Sequence, residues 1–347
     1  MKQGHEIHVL TFLDHSQDAP YAVHVLPDIG TVLFRASAMN HKAASISADA
    51  FYDTGVAWSA DVLQPHAGSA VYSERQCIDA FGPILRLRAA LSPRAIWRRK
   101  AMMKLEQTQL HNAGKIVAVS GLVERLLNRQ YGIPQTAISV IHNGVDTSRF
   151  DRSLLQRRRD FERASLGIND KEIIFLVLAN NLMLKGVDLV IRACGLLKKK
   201  GYSGARLVVA GANPDRKMLT LIDQENVAGI TDFVGHVEDV TALLAAADVF
   251  MHITRWDACS LVTIEAMASG LPVVTTSRNG AAELINPSID GIVLSDPENV
   301  ENLVETMLSL FDHDLRHKLG ANAYQSAQRF DININFQKVE QLLLSRQ

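Results

Sequence analysis
Two carboxylates, Asp257 and Glu265, lie eight positions apart in the stretch WDACSLVTIEAMASGLPVVTT, residues 256–276. Between them runs ACS, then an apolar, helix-patterned segment that ends in Gly-Leu-Pro and a β-rich run. Ser260 is a good N-cap, Thr263 takes the capping-box position where Glu would be stronger, and Gly270 and Pro272 close the helix. Ala258, Cys259, Ser260 and Leu261 therefore sit at a helix N-terminus, where free N–H groups and the helix dipole favour an anion such as phosphate. Asp257 falls just before that turn and Glu265 about one turn into the helix. A carboxylate offers about four lone-pair sites and suits a pair of sugar hydroxyls. A diphosphate with a sugar at each end fits such a site. A Ser-capped helix with one exposed and one interior acid is also an ordinary structural feature, and spacing alone leaves both readings open.

The elements that must position these residues are clearest in the C-terminal half. Apolar runs at 172–179 (EIIFLVLA), 205–211 (ARLVVAG), 230–236 (ITDFVGH), 248–254 (DVFMHIT), 272–276 (PVVTT) and 291–295 (GIVLS) alternate with helical patterns. Such alternation predicts a parallel sheet covered on both faces and doubly wound by right-handed crossovers. The helix from residue 260 follows a strand, so its N-terminus opens at the carboxyl edge of the sheet, where ligands bind in such folds. The N-terminal half repeats the theme, with strands expected at 6–12, 21–26, 61–67, 115–120 and 138–146. SGLVERLLNRQYG reads as a helix capped by Ser120 and ended by Gly132 and Pro134. The basic stretch TSRFDRSLLQRRRDFER (147–163) reads as a linker. The expected fold is α/β, two Rossmann-like doubly wound domains facing a cleft. Residues 1–150 form the first, 151–330 the second, and 331–347 a C-terminal helix that packs back on the first.

The chain has 347 residues, 47% hydrophobic and 21% charged, with a net charge of −1, which describes a globular protein with no overall basic excess for nucleic acid. Cys77, Cys194 and Cys259 have no metal-like spacing and give no disulfide framework. No apolar run reaches the roughly 18 residues of a spanning helix. Cytoplasmic residence is expected.

The segment DACSLVTIEAMASGLPVVTT resembles the E-x7-E signature region of glycosyltransferase family 4, the retaining glycosyltransferases of GT-B fold. Further segments match in order: GHEIHVL, IVAVSGLVERLL, VIHNGVDTSRF, KGVDLVIRA, VVAGA, FVGHVEDVTALLAAADVFMHIT and NGAAELI. The forms LMLKGVDLVIRA and CSLVTIEAMA look closest to lipopolysaccharide-core glucosyltransferase-like members. The resemblance implies a hexosyltransferase that uses a nucleotide sugar such as UDP-glucose, with retention, no cofactor and no metal. The implied partners are the nucleotide sugar and a glycan or glycolipid acceptor in cell-envelope synthesis. A nucleotide-sugar epimerase on the same fold, or a non-catalytic or truncated nucleotide-binding member, are the alternatives.

The family's second signature acid binds the nucleotide ribose, a role that falls on Glu265. The first acid, on the transferred sugar, is Asp257 here, shorter by one methylene. The family's Arg/Lys pair on the leaving diphosphate is matched by Lys185 alone, because NNLM (180–183) stands where the arginine is sought. Lys185 would then neutralise the leaving group together with the amides at 258–261. Asn180 joins the donor-binding set from the same neighbourhood, and Gly235 and His236 match the segment near the base. By the same resemblance, members usually begin with a strand, a Gly-rich loop and a helix ahead of the GHEVHVL-like strand. Here MKQGHEIHVL reads as the tail of that helix. The expected consequences are an N-terminal domain less stable than the C-terminal one and low transferase activity.

His66, in DVLQPHAGS, ends an expected strand. It either hydrogen-bonds sugar or acceptor across the cleft, as a catalytic-site residue, or sits in an ordinary turn. His142 reads as structural, with Asn143 and Gly144 in a tight interdomain turn. Residues 85–105 carry Arg86, Arg88, Arg94, Arg98, Arg99, Lys100 and Lys104 with no acid, interleaved with Ile96, Trp97, Met102, Met103 and Leu105. Such a segment suits an anionic membrane surface on the cytoplasmic side, or is a solvated helix face covering the sheet.

Overall fold
In the computed structural model, which describes residues 4–13, 20–169 and 171–345, all ladders are parallel. Residues 1–3 and 346–347, the ends of the first and last expected segments, lie outside the described residues. The N-terminal half contains β1 (His8–Thr11), β2 (Ala22–Val25), α1 (Val32–Ala44), β3 (Tyr52–Asp53) and β4 (Val62–Leu63). After these come α2 (Ala70–Ala80), α3 (Pro83–Leu91), α4 (Pro93–Asn112), β5 (Lys115–Ala118), α5 (Gly121–Tyr131) and β6 (Ile138–Val140). Its strands fall into two sheets, β1-β2 and β3-β4-β5-β6, that share no ladder among the described residues.

The basic stretch after β6 is not a linker but a helix, α6 (Arg152–Ser165). Asp151 caps it, accepting from Ser153 and Leu154 amides. Its arginines are structural. Arg159 and Arg163 converge on Asp248 at 2.5 and 3.0 Å, and Arg163 also donates to the carbonyls of Asn169 and Glu172. A charge run that looks solvated in sequence therefore folds onto carbonyls left free at the ends of other elements.

The C-terminal half continues with β7 (Ile173–Ala179), α7 (Val187–Lys199), β8 (Ala205–Gly211), α8 (Arg216–Gln224), β9 (Thr231–Gly235), α9 (Val240–Ala246) and β10 (Val249–His252). It ends with α10 (Leu261–Ala268), β11 (Val273–Thr276), β12 (Ile292–Leu294), α11 (Val300–Ser309), α12 (His313–Ala327) and α13 (Ile332–Leu344). The sheet order is β12-β11-β10-β7-β8-β9, with every β7 residue buried, as its unbroken apolar sequence requires. The strand order reverses at β7/β10, and this switch point faces the N-terminal half.

One cluster of buried side chains runs across both halves, from Leu63, Ile116 and Val123 through Phe150 to Leu176, Phe250, Trp256 and Ile264. The chain then returns. Val145 bridges Asp331, and Val339, Leu342 and Leu343 of α13 pack on Val62, Val117 and Ile141. Lys115 Nζ donates to the Leu342 carbonyl at 2.7 Å. Gly144 is fixed by this return, since a Cβ there would lie 2.9 Å from Ile332 Cα.

Candidate functional site
The parallel register brings Ala179, Gly211, Gly235 and His252, the last residues of β7, β8, β9 and β10, to one edge of the sheet. Lys185 lies in the turn after β7. The next residue, Gly186, has φ +70°, and a Cβ there would sit 1.9 Å from the Ile253 carbonyl oxygen. Only glycine lets this turn close on the end of β10. Thr254 Oγ1 joins the two segments, reaching the Leu184 and Trp256 carbonyls at 3.1 and 2.8 Å.

That approach sets Lys185 Nζ 2.5 Å from Asp257 Oδ2 and 3.4 Å from the Trp256 carbonyl. His252 Nε2 lies 3.0 Å from the same Oδ2. Burial alone would raise the Asp257 pKa, but the His252 hydrogen bond and the Lys185 charge outweigh it and hold the carboxyl well below its ordinary range. The His252 ring is buried, and burial drives its pKa below the ordinary value despite Asp257. Neutral His252 must donate from Nε2, since a carboxylate only accepts. Its Nδ1 is then a buried acceptor with no partner among the described residues.

Sequence reasoning missed His252, although DVFMHIT put a histidine at a strand's carboxyl end, five residues before Asp257. It also placed Asp257 and Lys185 on different parts of a ligand. The structure joins them as an ion pair.

α10 begins as its sequence dictates, Ser260 Oγ accepting from the Thr263 amide at 3.3 Å. The turn before it is held from two sides. The N-terminal half donates Ser120 Oγ to the Ala258 carbonyl at 2.6 Å and Asn143 Nδ2 to the Cys259 carbonyl at 2.8 Å. Asn279 Oδ1 accepts the Ser260 amide at 3.2 Å, so this one of the four expected amides is spent inside the chain. The amides of Leu261 and Val262, in the first turn, have no intrahelical acceptor and remain suited to an anion. Cys259 is buried, which pushes its thiol up to about 12 and makes it inert.

Glu265 lies four residues further, about 6 Å along the helix. Its carboxylate is half-buried and has no hydrogen-bond or ion-pair partner among the described residues. Burial raises its pKa, and the charge of Arg149 opposes that rise. Gly235 and His236 close β9 at the far side of the same edge, Gly235 with φ +69° and His236 exposed. Asn180 follows β7, exposed, with its Oδ1 beside Gly211.

His66 lies in the turn after β4, two residues before Gly68, whose Cβ position would be 3.4 Å from Trp256 Cζ2. Water reaches His66, yet the surrounding protein lowers its pKa by desolvation, as for a group on a cleft wall. The Tyr72 ring meets Trp256 edge-on at 4.7 Å. Trp256, a residue the sequence did not single out, is thus a side-chain contact between the Lys185–Asp257–His252 cluster and the N-terminal half. Glu283 makes a second one. It accepts from the Gly121 amide at 2.7 Å and from Arg125 at 2.9 Å, and lies 3.3 Å from His142.

Known proteins match along most of the chain. The family model described as "Glycosyltransferase Family 4" matches residues 1–149, and "Glycosyl transferases group 1" matches 158–326. Lipopolysaccharide glucosyltransferase WaaG of Escherichia coli K12 is 28% identical over 205 residues, 59% of this chain and 55% of that protein. Mannosylfructose-phosphate synthase of Agrobacterium fabrum is 31% identical over 210 residues, 57% of this chain and 45% of that one. The chain spans about half the length of these curated relatives. The crystal structure of WaaG superposes with a TM-score of 0.80 at 23% identity, over 99% of this chain and 93% of that one. Anabaena Alr3699/HepE, solved with UDP-glucose, gives 0.67 at 20% identity over 96% and 91%. The fold is therefore α/β GT-B with two parallel-sheet, Rossmann-like domains. Matched in both halves by its family models, the chain belongs to glycosyltransferase family 4, group 1.

Proposed function
We propose that the protein is a retaining, metal-independent glycosyltransferase that moves a hexose from a UDP-sugar, UDP-glucose or a close relative, to a glycan or glycolipid acceptor. The observation that carries this reading is the pairing of unlike groups along α10. An ammonium is held at its start by Asp257, and a carboxylate without a partner among the described residues stands about a turn further on. A diphosphate meets Lys185 and the first-turn amides, while Glu265 takes the ribose hydroxyls. The solved UDP-glucose complex of HepE and the lipopolysaccharide-glucosyltransferase name of WaaG support a glucose donor.

Catalysis in this reading is positioning and charge stabilisation. The acceptor oxygen bonds to the anomeric carbon on the face from which the diphosphate oxygen departs. The acceptor proton passes to that oxygen, and Lys185 with the amides of Leu261 and Val262 holds the growing negative charge. Asp257 keeps Lys185 in place and presents its other oxygen towards sugar hydroxyls.

Binding without turnover is the second reading, favoured by one fact: Lys185 is already neutralised by Asp257. Thermal shifts with UDP-, GDP- and ADP-sugars, followed by product analysis with a glycolipid acceptor panel, separate the two. A UDP-glucose shift with glycosylated product supports transfer. A shift without product across the panel supports binding alone, and no shift with any donor removes the donor site.

The same reading places the protein on an anionic membrane face. No helix among the described residues is long and apolar enough to cross a membrane. Ile84, Leu87 and Leu91 form an exposed apolar stripe on α3, and Trp97 is exposed on α4 beside Arg94 and Lys100.

A further inference from the structure
A cavity of about 660 Å³ lies between α2, α3, α4 and α5, with Trp256 in its wall. Five guanidinium groups line it, those of Arg75, Arg86, Arg99, Arg125 and Arg129, against one carboxylate, Asp79. Arg86 and Arg75 share Asp79 at 3.4 and 3.9 Å, and Arg125 is drawn to Glu283 at 2.9 Å. Arg99 and Arg129 have no hydrogen-bond or ion-pair partner among the described residues. The Nε of Arg99 is moreover shut off from water with no acceptor among the described residues. Cations without a carboxylate partner on a concave wall repel one another and concentrate an anion. The planar guanidinium fork matches phosphate oxygens two at a time. Apart from Gln130 and Tyr72 the rest of the wall is apolar, and includes Leu122, Leu126, Met103, Ile78 and Trp256.

We propose that this cavity is the seat of a phosphate-bearing amphiphilic acceptor, with the phosphate on Arg99 and Arg129 and the apolar portion against Leu122, Leu126 and Trp256. The proposal rests on the transferase reading above and names its acceptor class. Trp256 links the two sites, its indole lining the cavity while its carbonyl lies 3.4 Å from Lys185 Nζ. An acceptor seated here has its phosphate away from the donor and its free hydroxyls directed past Trp256 towards the sugar.

The test is calorimetric titration of the full chain with n-decyl phosphate, n-decyl maltoside and inorganic phosphate, all below the micellar range. Saturable one-to-one binding of n-decyl phosphate, with much weaker binding of the other two, is expected. Arg129→Gln replaces an exposed side chain, so the variant is expected to stay folded. It should weaken n-decyl phosphate binding roughly tenfold or more, and Arg99→Gln/Arg129→Gln further still. Each variant is checked by its UDP thermal shift, which reports the other site and should stay at the parent value. Equal affinity for n-decyl maltoside, equal affinity for inorganic phosphate, or unchanged affinity in both variants overturns the proposal. A UDP shift with no n-decyl phosphate binding overturns the cavity alone. Binding of n-decyl phosphate without any nucleotide-sugar shift overturns the donor reading and leaves the cavity as an anion site.

Discussion

Glu265→Gln separates a binding residue from a structural one, because the two roles move stability in opposite directions. Burial raises the Glu265 pKa and no described residue bonds the carboxylate, so holding it ionised costs the folded chain more than the unfolded one. The ordinary value for this group is 4.5. As pH rises through 4.5, the unfolded chain gives up this proton before the folded chain does, and stability falls until the raised folded value is passed. Gln removes that penalty while keeping the shape. Without ligand, the variant should be more stable at neutral pH by on the order of 0.5–2 kcal/mol, the range typical when a functional site's cost is removed. This is a Tm rise of roughly 1–2 °C for each kcal/mol in a chain of 347 residues. The gain should shrink as pH falls through 4.5 and vanish well below it, where the carboxyl is protonated in both states. UDP should respond in the opposite sense. Losing a charged acceptor costs about 1.5–3 kcal/mol, at least tenfold in affinity. At a UDP concentration of 100 Kd for the parent protein, stabilisation is about 2.7 kcal/mol, and a tenfold loss cuts it to about 1.4 kcal/mol. Differential scanning fluorimetry at two pH values, with and without UDP, reads all of this. A less stable variant without ligand would show that Glu265 serves the fold, and an undiminished UDP shift would refute the ribose assignment.

Asp257→Asn should lower stability by about 3 kcal/mol at pH 7, near the bottom of the range for breaking a buried pair, because both partners still reach some water. It should also reduce the preference for UDP-glucose over UDP, measured as the difference between their thermal shifts. His252→Gln should flatten the stability profile below pH 6.5. The folded chain refuses a proton there that the unfolded chain accepts, so stability normally falls as pH drops from 6.5 towards the lowered folded value. Urea unfolding of the two proteins across pH 5–8 (a range set about the ordinary histidine value) checks this, and parallel profiles would count against it. Arg94→Glu/Lys100→Glu should reduce cosedimentation with anionic liposomes at low salt. Arg98 is unsuited to this test because it is paired with Glu74.

The C-terminal sheet was legible because its strands are buried on both faces and read as unbroken apolar runs. α10 was legible because Ser260, Gly270 and Pro272 are local signals whose meaning does not depend on the rest of the fold. The stretch at 147–163 was misread for the opposite reason. Its arginines look solvated until Asp248 and the carbonyls at 169 and 172, distant in sequence or outside the stretch, come within reach. The ion pair of Lys185 and Asp257 was hidden in the same way, since 72 residues separate its partners.

What sequence could least reveal is that Trp256 and Asp257, neighbours in the chain, serve opposite sides of the cleft. Extended backbone points successive side chains in opposite directions. One step along the chain therefore takes the structure from an indole packed on Tyr72 to a carboxylate bonded to Lys185 and His252. The Ala258 and Cys259 carbonyls, the next two along, are held by Ser120 and Asn143 of the N-terminal half. These two hydrogen bonds and the Tyr72–Trp256 contact tie the turn to the N-terminal half. The turn that starts α10 is thus also a fastening between the domains, and a ligand that orders this turn favours the closed arrangement by as much as it binds that arrangement more tightly than the open one.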